Sequence, residues 1–376
     1  MKAAAFRRLA ARTVLLLWAL AGYAMRSRNK PPRPEKILVI SRFLLGDTLM
    51  LAPLLAALRN HHPDAELVLA VQSGFLPLFA LRPYGLSALA FDLEDTQSLR
   101  RLRRSGPYDL AVVPGDNRNA IAARAFKARW IVAHAGDRPQ WKNLICDQLI
   151  ALSSRPGTIF DAFADLAGPD RELGYRHGDW AVPLPAGAIA ASAGRPYVVL
   201  HVGSSSPGRR WPAESWRLLA DKLSARGYDI FWSAGPGEEA IAREIDPAAR
   251  YTDTSGRFDL VQLWHFVANA ALLVSADTGI VHMAKLNGCP TVCLYGPGGE
   301  ALVGKGRFFR HAAIRGVVAP HFRDRRDGRV FKRRMPWAMA WPGPSADETW
   351  PDPGQQLQTV FAAAVALLEA TPQATT

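Results

Sequence analysis

The stretch Leu272-Leu-Val-Ser-Ala-Asp277-Thr-Gly-Ile-Val-His282 decides the fold of this chain. Its pattern predicts a buried strand, a polar turn and the first turn of a helix. The continuation to Gly296 predicts the rest of a short helix, a Gly-Cys-Pro turn and a second buried strand. This order predicts a parallel sheet, and open α/β sheets bind ligands at the carboxyl ends of their strands.

The polar turn of this stretch is a candidate anion site. Asp277, Thr278 and Gly279 begin the predicted helix, so their backbone N–H groups and the helix dipole can face an anion. His282 lies one turn further on, near the same end. A structural explanation stays open, in which Asp277 and Thr278 only cap the helix and His282 packs on the sheet.

Composition limits the class of protein. A chain of 376 residues with 49% hydrophobic residues is long enough for two domains, and strands alternating with helices favour the α/β class. The formal net charge of +13 predicts negatively charged partners. The sequence contains no recognisable nucleic-acid-binding module, which leaves phosphorylated small molecules and an anionic membrane surface. Three scattered cysteines argue against a disulfide framework or a zinc site.

Residues 1–35 form a separate predicted segment. An apolar run from Thr13 to Met25 has basic residues on both sides and is shorter than the roughly 20 residues that a spanning helix needs. We expect a helix that lies in, or dips into, the inner leaflet of the membrane. A signal peptide is the alternative, although positive charge directly after the run opposes translocation.

The predicted N-terminal domain comprises residues 36–180. It begins with a buried strand from Lys36 to Ser41, followed by the loop Arg42 to Thr48 and an amphipathic helix from Leu49 to Asn60. Residues 181–196 are rich in Ala, Pro and Gly, and we predict that they are the interdomain linker. Further parallel strands of this domain are predicted at 66–71, 110–114 and 130–134.

The predicted C-terminal domain, residues 197–352, starts with a strand from Tyr197 to Val202. The loop after this strand offers hydroxyls, backbone donors and guanidiniums, which suit a diphosphate. A solvated basic loop is the structural alternative. The side chains concerned are Ser204, Ser205, Arg209 and Arg210.

A third loop follows the strand predicted at 228–233. Its carboxylates, Glu238 and Glu239, stand just past a glycine turn, where an acid can accept both hydroxyls of a ribose. A glutamate at a helix N-terminus is also favourable without a ligand. Because all three loops follow parallel strands, we expect them at one edge of the sheet, where they form a nucleotide crevice.

Four motifs carry a family resemblance. They are Ile40-Ser-Arg42-x-x-x-Gly46-Asp47-x-x-x-x-x-Pro53, His201-Val-Gly-Ser204 with Arg209-Arg-Trp-Pro212, Gly235-Pro-Gly-Glu238, and Ser275-Ala-Asp277-Thr-Gly-x-x-His282. Together, over residues 36 to 310, they resemble glycosyltransferase family 9, which contains the ADP-heptose–lipopolysaccharide heptosyltransferases. The resemblance implies a GT-B fold, with two Rossmann-like domains facing across a cleft. It also implies that the C-terminal segment 353–376 contains a helix that crosses back towards the N-terminal domain.

The resemblance implies roles in catalysis and acceptor binding. Asp47 matches the catalytic base of the family, and a carboxylate at a glycine turn suits proton removal from a hydroxyl. Arg42 and Gly46 would lie beside the acceptor. Arg209 stands where the family usually has a lysine facing the donor phosphates, with Arg210 sharing that work.

The resemblance also implies donor-binding residues. Thr278 and Gly279 match residues whose backbone contacts the diphosphate. Asp277 would bind hydroxyls of the transferred sugar, and His282 would contact the phosphates or hold the turn. The acids that match the ribose-binding position are Glu238 and its neighbour Glu239.

The implied activity is inverting transfer of a heptose or related sugar, from a donor such as ADP-heptose to a lipopolysaccharide core or another envelope glycan. No cofactor and no metal is expected, because the sequence lacks an Asp-x-Asp pair. The implied location is the cytoplasmic side of the bacterial inner membrane. Two alternatives stay open: a sugar-nucleotide epimerase of the same architecture, and a non-catalytic scaffold that binds nucleotide sugars.

Overall fold

The fold is taken from a computed structural model that describes residues 2–153, 157–169, 173–187, 194–204, 209–295, 299–318 and 353–370. The chain divides into two compact units, and the boundary falls between Gly174 and Tyr175. Each unit has one parallel six-stranded sheet. The predicted α/β class is therefore confirmed.

The first unit is a Rossmann-like sheet with helices around it. Its strand order, β3-β2-β1-β4-β5-β6, reverses direction between β1 and β4. The strands are β1 (Lys36–Ile40), β2 (Glu66–Val71), β3 (Ser87–Ala90), β4 (Tyr108–Val113), β5 (Ala128–His134) and β6 (Gln148–Ile150). The α-helices are α1 (Lys2–Tyr23), α2 (Leu45–Leu49), α3 (Ala52–His61), α4 (Thr96–Ser105), α5 (Asn119–Ala125) and α6 (Ile159–Ala164).

The second unit repeats the same plan. Its strand order, β12-β11-β10-β7-β8-β9, reverses between β7 and β10. The strands are β7 (Tyr197–His201), β8 (Asp229–Ser233), β9 (Thr252–Asp253), β10 (Leu272–Ala276), β11 (Thr291–Tyr295) and β12 (Ile314–Val318). The helices are α7 (Ala213–Ser224), α8 (Glu239–Ile245), α9 (Leu260–Ala268), α10 (Gly279–Asn287), α11 (Gly299–Val303) and α12 (Pro353–Ala370).

The helix predicted from Leu49 to Asn60 is in fact two helices. The short helix α2 begins inside the predicted loop, and the chain turns at Met50 and Leu51 before α3 begins. Pro53 lacks a backbone N–H and is tolerated only in a first turn, so it stands at the start of the second helix. Asp47 therefore lies in the first turn of a helix rather than in a loop.

The N-terminal segment is part of the first unit, although we predicted it to be separate. One face of α1, formed by Ala11, Leu15, Ala19 and Gly22, is buried. These residues recur at helical spacing, and the small residues Ala11, Ala19 and Gly22 let α1 approach α5 closely. A Cβ on Gly22 would clash with the carbonyl oxygen of Arg124 in α5. The opposite face of α1 is exposed.

The segment predicted as the linker, 181–196, begins downstream of the boundary between the units. Tyr175 donates from its backbone to Phe308 O, and Pro183 O is hydrogen-bonded to the ring of His265. The described part of this segment therefore contacts the second unit at Pro183.

The helix α12 packs on α7, β10, β11 and β12 of the second unit. Trp211 donates to Gln356 Oε1 of this helix at 3.1 Å. Its crossing towards the N-terminal domain stays a prediction.

Within the described residues, no helix combines the length and the apolar character needed to cross a bilayer.

Candidate active site

The candidate site of the second unit lies where the strand order of its sheet reverses. Strands β7 and β10 pair in parallel, with Val199 opposite Leu273 and His201 opposite Ser275. Strand β8 pairs with β7 on the other side. The loops after all three strands therefore leave the sheet at the same carboxyl edge, as the sequence predicts. This edge is where open α/β sheets bind ligands.

Arg209 joins two of these loops. Its guanidinium donates to the backbone oxygen of Asp277 at 2.9 Å, so the loop after β7 is tied to the turn after β10. Arg210 faces back to its own loop and donates to Ser204 O at 3.2 and 3.3 Å. The two arginines therefore have different surroundings, and only Arg209 reaches the turn at Asp277. The predicted contact at Ser205 lies outside the described residues.

The turn after β10 opens the helix α10. Thr278 is the N-cap residue in an extended conformation, and its side chain makes no capping hydrogen bond. Its hydroxyl lies 3.3 Å from the hydroxyl of Ser275 instead. Gly279 is the first helical residue. Because the first N–H groups of a helix have no partner within it, this turn is suited to hold an anion.

His282 and Asp277 stand near each other in a nearly dry environment. His282 Nε2 lies 3.9 Å from Asp277 Oδ1. Burial raises the pKa of Asp277, while the nearby cations Arg209 and Lys285 oppose that rise. Burial also lowers the pKa of His282 well below its usual value, and the same two cations add to that effect. His282 is therefore neutral at neutral pH.

Lys285 is a site residue that our sequence analysis missed. It is almost fully buried, and its ammonium donates to Val303 O and, at 2.8 Å, to Gly304 O. It also lies 3.3 Å from His282 Nδ1. An ammonium group only donates, so Nδ1 accepts and the proton of the neutral ring sits on Nε2. Lys285 thus turns the N–H of His282 towards Asp277. The sole signal in the sequence is a lysine one turn after His282.

Glu238 and Glu239 have structural partners of different kinds. Glu238 Oε2 accepts from the backbone of Gly235 at 3.2 Å and lies so close to Gly203 that a Cβ there would clash with it. Glu239 Oε1 accepts from Gly237 at 2.8 Å, which lowers the pKa of Glu239. Only Glu238 therefore spans the loops after β7 and β8. Its position between them suits the predicted ribose contact better than that of Glu239.

The predicted catalytic base belongs to the first unit. Asp47 is exposed in the first turn of α2, and Gly46 precedes it there. Arg42 is exposed between β1 and α2. The Phe43 ring stacks on Phe163 at a centroid distance of 5.4 Å, which holds the segment before Asp47 against the unit. These residues follow β1 at the point where the order of the first sheet reverses.

Metal-binding clusters were sought among the same described residues. They contain no group of three or more His, Cys, Asp or Glu side chains placed to hold an ion. Metal independence stays a prediction of the sequence analysis.

Comparisons with known proteins identify the family. The family model described as glycosyltransferase family 9 (heptosyltransferase) matches residues 164–304. Lipopolysaccharide heptosyltransferase 1 of Salmonella typhimurium is 23% identical over 291 residues, which cover 72% of this chain and 90% of that protein. Lipooligosaccharide heptosyltransferase 2 of Haemophilus ducreyi is 26% identical over 296 residues, covering 70% and 83%. These matches confirm the resemblance to glycosyltransferase family 9 that the motifs indicated.

The similarity to these heptosyltransferases identifies the chain as a glycosyltransferase, and the fold agrees. The structure of Escherichia coli ADP-heptose lps heptosyltransferase II superposes with a TM-score of 0.65 at 20% identity, covering 89% of this chain and 99% of that one. The predicted GT-B fold is confirmed. The family match includes the loops after β7, β8 and β10, but it begins at residue 164 and so leaves out Asp47 of the first unit. The roles of individual residues stay predictions.

The buried His201 gives this glycosyltransferase a testable pH dependence. Its Nδ1 lies 3.0 Å from Ser233 Oγ, and burial lowers the pKa of His201 to about 4. The unfolded chain binds a proton near pH 6.5, so stability from this residue is complete above that pH and is lost as the pH falls towards 4. Between pH 7.5 and pH 5, the free energy of unfolding should therefore fall by roughly 2 kcal/mol less in His201→Gln than in the wild type.

Denaturant unfolding at the two pH values measures this difference. His177→Gln is the matched control, since it changes an exposed histidine of the same unit and should keep the wild-type slope. If the free energy of unfolding of His201→Gln depends on pH as that of the wild type does, His201 is not held neutral in the folded protein.

A second prediction concerns Lys285. Lys285→Met leaves two buried carbonyl oxygens without their donor, so the free energy of unfolding should fall by about 1–3 kcal/mol. Because a neighbouring positive charge is removed, the pKa of His282 should rise, and its ring should lose the preference for a proton on Nε2. Proton–nitrogen correlation spectra of the histidine rings report both changes. Lys305→Met is the control, and identical His282 spectra in wild type and Lys285→Met would contradict the assignment.

Proposed function

We propose that this glycosyltransferase transfers a heptose from ADP-heptose to a lipopolysaccharide core acceptor, with inversion at the anomeric carbon. The observation that carries the proposal is the turn Asp277–Gly279, which lies at the reversal of the second sheet and is tied to Arg209. The names of the relatives support the sugar and the acceptor, since both act as lipopolysaccharide or lipooligosaccharide heptosyltransferases. ADP-heptose is named for the similar E. coli enzyme.

The donor's diphosphate would bind at the N-terminus of α10. Backbone N–H groups at Thr278 and Gly279, the helix dipole and Arg209 supply positive potential to it without a metal ion. Neutral His282 would donate from Nε2 to a phosphate oxygen or to Asp277. Asp277 would accept hydrogen bonds from hydroxyls of the transferred sugar. Glu238, placed between two loops of the same edge, would accept those of the ribose.

The reaction would be a single displacement. Asp47 would take the proton of an acceptor hydroxyl, and the hydroxyl oxygen would form a bond to the anomeric carbon. The bond between that carbon and the donor's phosphate oxygen would break, and ADP would leave with the electron pair. The growing negative charge on the diphosphate would be stabilised by the N-terminus of α10 and by Arg209. The exposure of Asp47 suits it to meet a large acceptor.

Association with the cytoplasmic face of the inner membrane is also part of the proposal. The outward face of α1 exposes Leu17 and Tyr23, with 61% and 50% of their surfaces accessible. Exposed basic residues flank this face, among them Arg12 and Arg28. A helix with one apolar face and basic neighbours binds an anionic membrane surface in the plane of the interface. α1 is thus both a part of the first unit and a candidate membrane contact.

The central test of the mechanism is Asp47→Asn. Loss of the base should lower heptosyl transfer by 100-fold or more, while the affinity for ADP stays within about two-fold of wild type. Transfer is measured by mass spectrometry of the acceptor, and ADP affinity by calorimetry. Asp64→Asn, which changes an exposed carboxylate of the same unit, is the control and should keep full activity. An Asp47→Asn variant with wild-type transfer would exclude Asp47 as the base.

The same assays separate the other candidate functions. A wild-type protein that converts the donor sugar into its epimer, with no acceptor present, would be an epimerase. Binding of ADP-heptose without turnover in any assay, together with an unaltered cell glycan in an Asp47→Asn strain, would indicate a scaffold.

A further inference from the structure

The first unit contains a cavity that the proposed donor site does not explain. Its volume is about 760 Å³, which lies within the range of ligand-binding pockets. It lies at the carboxyl edge of the first sheet, beside the segment that follows β1 and the one that follows β4. The strand order reverses between these two strands, so the cavity occupies the position where sheets of this kind bind ligands.

One side of the cavity is apolar. Leu16 from α1, Phe91 and Leu93 after β3, Ile121 from α5, and Trp141 form its hydrocarbon and aromatic surface. Leu16 and Trp141 are about half exposed, with 52% and 47% of their surfaces accessible. A polar sugar alone would leave this apolar area without a partner. The surface is suited to an acyl chain or another hydrocarbon group.

The other side of the cavity is basic. Three arginines line it, Arg12, Arg42 and Arg118, against a single carboxylate, Asp116. Asp116 Oδ1 lies 3.2 Å from the ammonium of Lys142, and Asp116 Oδ2 accepts from Arg118 Nε at 2.7 Å. The negative charge of Asp116 is thus offset within the wall, and the cavity keeps an excess of positive charge. This charge favours an anionic group.

Asp116 is held by a buried polar network. Lys142 is also 3.2 Å from Asp137 Oδ1, and Asp137 accepts from the backbone of Asn117 at 2.8 Å. Asn117 donates to Asn143 at 2.7 Å. Asn117 and Asp137 are almost completely buried. The network fixes the segment after β4, so Asp116 and Arg118 are held in place on the basic side of the cavity.

The remaining wall is α1, which is fastened to the unit at several points. Its buried face sits on α5 through Gly22, and the guanidinium of Arg103 lies 5.0 Å from the centre of the Trp18 ring. Beyond the end of α1, Arg26 forms an ion pair with the buried Asp147. α1 is therefore a fixed wall that brings Arg12 and Leu16 to the cavity.

We propose that this cavity binds an anionic amphiphile, with its charged group against the arginines and its hydrocarbon part against the apolar side. The inference rests on the proposed function in one respect, since the natural ligand would be the anionic, lipid-bearing part of the acceptor. It assigns α1 a direct role in ligand binding, beyond contact with the membrane. The cavity thus selects for both a negative charge and an apolar chain on one molecule.

The test uses three probes of known chemistry. Calorimetry below the critical micelle concentration compares dodecyl phosphate with dodecyl maltoside, which lacks the charge, and with inorganic phosphate, which lacks the chain. Dodecyl phosphate should bind at least ten-fold more tightly than either. Equal binding of dodecyl maltoside would overturn the charge requirement, and equal binding of inorganic phosphate would overturn the apolar one.

Two variants locate the binding. Leu16→Glu places a carboxylate in the cavity wall and should weaken dodecyl phosphate binding at least ten-fold. Leu20→Glu makes the same change on the same helix at a residue that is 73% exposed and does not line the cavity, so it should leave binding unchanged. Equal weakening in both variants would mean that the amphiphile adheres to the outer face of α1, and the cavity would be excluded.

Gly22→Leu provides a second route to the same conclusion. The added side chain cannot fit against Arg124, so α1 should be displaced from α5 and the cavity should lose one wall. Dodecyl phosphate binding should then be lost, while stabilisation of the protein by ADP is retained. If Gly22→Leu keeps both dodecyl phosphate binding and stabilisation by ADP, α1 is not a wall of the binding site.

Kinetic measurements of heptosyl transfer distinguish this inference from the proposed function. In Leu16→Glu, KM should rise more for an acylated acceptor than for the same acceptor after removal of its acyl chains, with kcat unchanged. Equal KM values in Leu16→Glu and wild type for both acceptors would overturn the inference alone. A wild-type protein without heptosyl transfer would overturn the proposed function, and the binding measurements would still decide the cavity.

Discussion

Parallel pairing of β7 with β10 is the constraint on which the candidate site depends. These strands are far apart in the chain, and their pairing places the segment after His201 beside the turn at Asp277. The hydrogen bond from Arg209 to Asp277 O then joins the two loops directly. Without this register, the glycines, hydroxyls and arginines of the family motifs would be dispersed. The first sheet repeats the arrangement with β1 and β4, and its reversal lies beside Asp47 and the amphipathic cavity.

Burial then determines which groups carry charge at the candidate site of the second unit. His282 is neutral because burial and two cations oppose its protonation. Lys285 is kept in the interior by carbonyl oxygens at the end of α11, and its ammonium fixes which nitrogen of His282 carries the proton. Positive charge at this edge thus comes from Arg209, from Lys285 and from the N-terminus of α10. A diphosphate could therefore bind at this edge near neutral pH without a change in the protonation of His282.

Local sequence patterns correctly predicted those strands whose residues form one uninterrupted apolar run. The strand at 66–71 has the predicted bounds because an uninterrupted apolar run between polar turns suits a strand buried on both faces. The family motifs predicted that the candidate residues share one sheet edge, because these residues directly follow such strands. The break at Met50 was not predicted, since two adjoining helices share one apolar periodicity. The role of Lys285 was also missed, because its partners, Val303 and Gly304, lie too far along the chain for any periodic pattern to detect.

The most direct measurement for the central claim is the crystal structure of the protein with ADP. The account predicts that the diphosphate accepts hydrogen bonds from backbone N–H groups at the start of α10, with the guanidinium of Arg209 in contact and the ribose beside Glu238. ADP bound at any other edge of the second sheet, or to the first unit, would contradict it.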